Sequence, residues 1–196
     1  MKNLLLLLLL TSNAATTFPP AKINDFYQKL SDSAIAIIDS KIEYDPTYYK
    51  ITYPNGDVPK GKGVCTDVVI RAYRKLGIDL QKEVHVDMSK NFAKYPKTWG
   101  LKSTDTNIDH RRVPNLQTFF TRHGEVKTVT EKPEDYKPGD IVTWRINDKL
   151  PHIGIVVNKK TITGNRHLIV HNVGNGQVME DCLFKYKLTG HYRYKK

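Results

Sequence analysis

Cysteine is scarce in this chain of 196 residues: Cys65 and Cys182 are the only two, enough for one internal bridge at most. That excludes a disulfide-stapled miniprotein and a four-cysteine zinc module. Acidic residues are also short, 20 against 31 Lys plus Arg, for a formal net charge of +11. With 39% hydrophobic residues, 12 Gly and 10 Pro, the composition fits neither a disordered chain nor collagen, and it has enough apolar mass for one core. Long apolar runs are missing after the N-terminus, as are internal repeats and any Gly/Ser- or Pro-rich linker that would separate two domains.

The N-terminus itself is distinctive. Met1-Lys2-Asn3 precedes seven leucines, Leu4 to Leu10, and then Thr11-Ser12-Asn13-Ala14-Ala15. One positive charge, a short apolar run and small residues describe a secretory signal peptide over residues 1–14, and the run is far shorter than the roughly 20 residues that span a bilayer. The expectation is an exported protein, periplasmic or extracellular, with residues 15–196 as one domain and no transmembrane segment after cleavage. Positive charge also suits nucleic acid, but an exported protein meets little of it. The basic residues are spread along the chain rather than gathered in a stripe, so no nucleic-acid partner is expected.

Apolar residues from Ile23 to Ile38 fall on one helical stripe. The stretch from Tyr44 to Lys62, with Pro46, Pro54, Asn55-Gly56 and Pro59, reads as extended pieces joined by turns. Thr66 to Leu76 is a helix with Asp67 in its first turn, Arg71, Arg74 and Lys75 towards its end, and Gly77 as terminator. Val86 to Tyr95 and Leu116 to His123 read as shorter helices, the latter opened by Val113-Pro114-Asn115 and closed by Gly124. From Glu125 onward β-branched runs take over: Val126 to Val129, Ile141 to Trp144, Ile153 to Val157, Leu168 to Val170 and Gly190 to Tyr194. Helices first and strands later predict an α+β fold with a mostly antiparallel sheet.

Cys65 stands directly before the second helix, behind Gly61-Lys62-Gly63-Val64. The positive end of a helix dipole lowers a thiol pKa and favours thiolate, the form that attacks carbonyl carbon. Such a nucleophile needs a base, and the base needs a third group to orient it. His152 opens one expected strand and His171 closes the next. A hairpin centred on Thr161-Ile162 puts the two directly opposite, side by side on one face, with Asn172 facing away; a one-residue slip exchanges His171 for Asn172 as third member. The polar cluster at Asp109, His110, Arg111 and Arg112 could bind a substrate carboxylate, since Arg pairs with such anions through two bonds. Zinc on Cys65, His152 and His171 is chemically conceivable, but no zinc-site spacing accompanies them, so neither metal nor cofactor is expected.

The order of a helix-initiating cysteine, then Pro138-Gly139-Asp140-Ile141-Val142, then His152-Ile153-Gly154-Ile155-Val156, then a histidine ending the next strand, resembles the NlpC-like branch of the papain-fold cysteine peptidases. Tyr53-Pro54-Asn55-Gly56-Asp57-Val58-Pro59, Gly63-Val64-Cys65-Thr66-Asp67, Asn107 to Leu116 and His171-Asn172-Val173-Gly174 are similar to a bacterial exported family within that superfamily, over roughly Tyr44 to Tyr194. The resemblance implies a papain-like fold and amide hydrolysis in cell-wall peptides, with peptidoglycan or another anionic wall polymer as partner. It makes Cys65 the nucleophile, His152 the base and His171 the orienting residue, and it puts Tyr53 at the oxyanion site. Where those enzymes carry Asp-Cys-Ser this chain has Val64-Cys65-Thr66. Two alternatives share the residues: a non-enzymatic wall-binding module with a Cys65–Cys182 bridge, and an acyltransferase using the same thiol.

Overall fold

Alternating burial along the strands sorts the side chains onto two faces of one sheet, and helices cover one of those faces. The computed structural model describes residues 25–196, so the expected signal peptide at residues 1–14 lies outside the described residues. Four helices, α1 (Asp25–Ile35), α2 (Cys65–Arg74), α3 (Leu80–Lys90) and α4 (Val113–His123), precede nearly all of the sheet. A two-residue parallel pair, β1 (Glu43–Tyr44) with β2 (Lys62–Gly63), folds the turn-rich segment back beside the start of α2.

The main sheet has six strands: β3 (Glu125–Val126), β4 (Ile141–Ile146), β5 (Leu150–Lys160), β6 (His167–His171), β7 (Val178–Glu180) and β8 (Lys187–Arg193). Their order is β3-β8-β4-β5-β6-β7 and every pairing is antiparallel. This is the expected α+β class, with the cysteine-bearing helix on an antiparallel sheet.

On the helical side, Val68, Val69, Ala72 and Tyr73 of α2 meet Ile153, Ile155 and Val157 of β5, together with Leu30 and Ala34 of α1 and Leu116, Phe119 and Phe120 of α4. Each such aliphatic or aromatic side chain contributes about 1.5–3 kcal/mol by leaving water. The opposite side holds a smaller core of Tyr136, Val142, Trp144, Val156, Ile169, Cys182 and Leu183. There the Trp144 indole donates to the Leu183 carbonyl at 2.9 Å, which pins the segment after β7 over the sheet.

Several expected boundaries move. The third helix begins at Leu80 rather than Val86, because Asp79 caps it by accepting from the Gln81 amide, and Tyr95 falls beyond the short turn Phe92–Lys94. The strand expected at Val126–Val129 is the two residues of β3, and β7 had no counterpart in the sequence reading. The β5–β6 hairpin also differs in register: Ile155 pairs with Val170 and Val156 with Ile169, then a bulge brings Lys160 opposite His167. The loop extends over residues 161–166, with Gly164 at φ +70°, instead of turning at Thr161-Ile162. His152 and His171 are therefore diagonal neighbours rather than direct partners.

Candidate active site

Cys65 is the first residue of α2, and its surroundings are built by the residues on either side of it. Val64 is extended (φ −123°), and its amide is taken by Asp67 Oδ2 at 2.7 Å, which closes the turn leading into the helix. The same carboxylate receives Arg111 Nε and Nη2, each at 3.1 Å, and Thr66 Oγ1 donates to the Arg111 carbonyl. Amides of Cys65, Thr66 and Ile153 point at the sulfur and favour thiolate, yet burial outweighs them and Asp67 adds to its effect, so the thiol is pushed up to about 12. The lowering expected from the helix end is thus overturned by desolvation at a residue 4% exposed. At rest Cys65 is a thiol.

His152 Nε2 and His171 Nδ1 lie 2.8 Å apart, with ring planes at 75°. Both imidazoles are buried; burial, with His171 second, depresses His152 to about 3, and burial also lowers His171. The pair is neutral at rest. Trp144 flanks the His152 ring at 5.7 Å between centroids, and His171 Nε2 faces Glu180 Oε2 at 3.2 Å and Cys182 Sγ at 3.5 Å. Gly154 permits this approach: a Cβ there would stand 2.7 Å from Ile169 Cγ2 and 3.1 Å from His171 Cβ.

Asn172 points the other way, its amide donating to the Gly63 carbonyl at 3.3 Å on the cysteine side. His171, not Asn172, is therefore the residue on His152. The thiol rests against the Ile153 amide, one residue beyond His152, and among the described residues it makes no hydrogen bond to either imidazole. Both cysteines are free and belong to cores on opposite faces of the sheet, so the Cys65–Cys182 bridge considered from the sequence does not form.

A cavity of about 400 Å³ opens at Cys65, its walls including Tyr44, Tyr48, Trp99, Arg112 and Pro151. The Arg112 guanidinium lies 4.3 Å over the Trp99 ring, and among the described residues its Nη1 makes no hydrogen bond, standing 4.0 Å from Asp109 Oδ1. Burial and then the neighbouring Cys65 and Asp67 raise the Tyr44 hydroxyl to about 12, so it stays a donor.

The sequence reading missed Tyr44, Tyr48 and Trp99; the tyrosine-rich run from Tyr44 to Tyr53 was the available signal, read at its wrong end. Tyr53 is corrected: it is 41% exposed, packs edge-on against His85 at 5.1 Å and does not line the cavity. Two of the four cluster residues are corrected as well. Asp109 is buried and accepts the Asp105 amide, and His110 is buried and depressed to about 3. Arg111, paired with Asp67, and Arg112 both line the cavity. Among the described residues no group of three or more His, Cys, Asp or Glu side chains is arranged to hold a metal, and no helix is long and apolar enough to cross a membrane.

Comparison with known proteins gives the chain a family and a fold. A family model described as "Domain of unknown function (DUF1287)" matches residues 31–194. "Uncharacterized protein YijF" of Escherichia coli (strain K12) is 52% identical over 165 residues, which cover 84% of this chain and 80% of that protein. Among solved structures, an N-acetylmuramoyl-L-alanine amidase from Bacteroides uniformis has 14% identity and a TM-score of 0.50, covering 88% of this chain and 100% of its own. NlpC1 from Trichomonas vaginalis has 17% identity and a TM-score of 0.47 over 91% of this chain; the chain spans 47% of its length. The likeness to the amidase is one of fold.

Proposed function

Starting from a chain that belongs to the DUF1287 family, we propose an exported, thiol-dependent hydrolase that cuts an amide bond in cell-wall peptides. The observation that carries the reading is the 2.8 Å His152–His171 contact, made one residue before the Ile153 amide against which the Cys65 thiol at the N-terminus of α2 rests. The fold likeness to an enzyme named for a wall amide bond supports the substrate class. The leader-like residues 1–14 support export, which would bring the protein to that substrate.

In this mechanism the resting state carries no charge on thiol or imidazoles, and His152 Nδ1 takes the thiol proton as the sulfur attacks the carbonyl carbon. Hydrogen bonds between such groups tighten on substrate binding, which would bring the thiol from the Ile153 amide to the ring. The Cys65 amide and the Tyr44 hydroxyl receive the oxyanion. His152 then protonates the leaving amine, the C–N bond breaks, and a thioester remains. Water attacks the thioester while His152 takes its proton and returns it to sulfur, releasing a carboxylate. Arg112, at the cavity wall and ion-paired only loosely, at 4.0 Å, with Asp109, suits a stem-peptide carboxylate.

The test is mass spectrometry of sacculi and soluble stem peptides incubated with the mature protein and with Cys65→Ala. Fragments that need Cys65 identify the bond from their masses. Activity that survives in Cys65→Ala, or no fragments from protein whose Cys65 is reduced and alkylatable, overturns the reading. The non-enzymatic alternative has lost the bridge it was built on.

A further inference from the structure

Resting on the hydrolase reading, we propose that Glu180 is a positioning residue that fixes the tautomers of both imidazoles and so leaves His152 Nδ1 as the atom that accepts the thiol proton. The argument is one of hydrogen-bond polarity. An ionised carboxylate can only accept, so the 3.2 Å contact between Glu180 Oε2 and His171 Nε2 requires a proton on that nitrogen. A neutral His171 then has a bare Nδ1. Across the 2.8 Å contact the donor must therefore be His152 Nε2, and a neutral His152 is left with a bare Nδ1. Nδ1 is the His152 nitrogen not engaged with His171.

Among the described residues the opposite polarity has one available source. Cys182 Sγ stands 3.5 Å from the same His171 Nε2, and an S–H donating there would reverse the chain, putting a proton on His152 Nδ1 and disabling it as a base. The thiol is the weaker partner: a poor donor at a longer distance, against a charged acceptor. Register places Glu180 for this task. It pairs with Ile169 in the β6–β7 ladder, on the face that carries His171, and its side chain is about one-third exposed. A residue so near the surface adds little to the core, so its placement beside a fully buried histidine calls for another explanation than packing.

The experiment needs no substrate, so it can fail independently of the hydrolase reading. Imidazole nitrogen NMR on the folded protein reports which ring nitrogens carry protons. The expected pattern is Nε2–H on both His152 and His171; Nδ1–H on either ring in the wild-type protein overturns the proposal.

Variants then assign the cause. Glu180→Met keeps the volume without an acceptor and should mix the tautomers, whereas Glu180→Gln keeps an acceptor oxygen and should restore them. Iodoacetamide labelling of Cys65, resolved from Cys182 by peptide mass, should slow by at least about tenfold in Glu180→Met, since a wrong tautomer costs a triad enzyme about 10⁴-fold and Glu180 acts one ring further back. Unchanged nitrogen spectra and labelling in Glu180→Met refute the role. So does a tautomer change produced by Cys182→Ala and not by Glu180→Met.

Discussion

Arg111→Met separates a structural arginine from a substrate-binding one. The Arg111 side chain is 2% exposed and that of Asp67 4%. The guanidinium makes two bonds to the carboxylate at 3.1 Å and donates to the carbonyls of Thr47 at 3.2 Å and Asp45 at 3.3 Å. Methionine fills the volume but leaves a buried carboxylate unpaired, a loss of about 3–5 kcal/mol. For a domain of this size each kcal/mol moves the melting midpoint by about 2–4 °C, so a fall of roughly 6–20 °C is expected.

Asp67→Leu combined with Arg111→Met should recover most of that, because replacing both charges by apolar groups is near neutral. The remaining deficit is about 1 kcal/mol for the Val64 amide that Asp67 accepts. Thermal and urea melts followed by circular dichroism measure both variants. A midpoint within about 2 °C of the parent for Arg111→Met refutes the reasoning. Such a result, together with lost hydrolysis, would return Arg111 to the substrate.

Gly154→Ala should destabilise by about 1–3 kcal/mol and abolish hydrolysis, since its Cβ meets Ile169 and His171 and would part β5 from β6; urea midpoints and stem-peptide assays check this. His110 and His152 are depressed to about 3 in the fold against about 6.5 in the unfolded chain. Their contribution is therefore present above about pH 6.5 and lost as pH falls towards 3, and urea midpoints should decline less between neutral pH and pH 4 in His110→Leu than in the parent. Arg112→Ala should raise KM for a carboxylate-bearing stem peptide roughly ten- to a hundredfold while kcat holds; an unchanged KM removes Arg112 from substrate binding.

Periodicity and breakers made α2 legible, because Val68, Val69, Ala72 and Tyr73 form one apolar stripe ended by Gly77. The start of α3 was hidden: its stripe is thin, and the signal that decides it is a single cap at Asp79. The β5–β6 register failed because Gly164-Asn165 could host the turn as well as Thr161-Ile162, and a bulge absorbed the difference. Even so, the two histidines meet, since a shift of two residues preserves the face. The residue types around Cys65 could be read in order along the chain. What could not be read was burial: Arg111 and Arg112 are adjacent, chemically alike and both at the cavity wall, yet Arg111 is enclosed on Asp67 while Arg112 lies over Trp99. The same omission misjudged the thiol, whose desolvation exceeds the pull of the helix amides.

The separation of the two cysteines by the sheet has a redox corollary. Oxidation of Cys65 to a sulfenic acid would find no resolving thiol in its own chain, because Cys182 is buried on the far face. Towards oxidants the protein therefore behaves as though it had one cysteine. Its recovery would depend on a small thiol able to enter the cavity at Cys65, and its irreversible loss would be governed by how quickly such a molecule arrives.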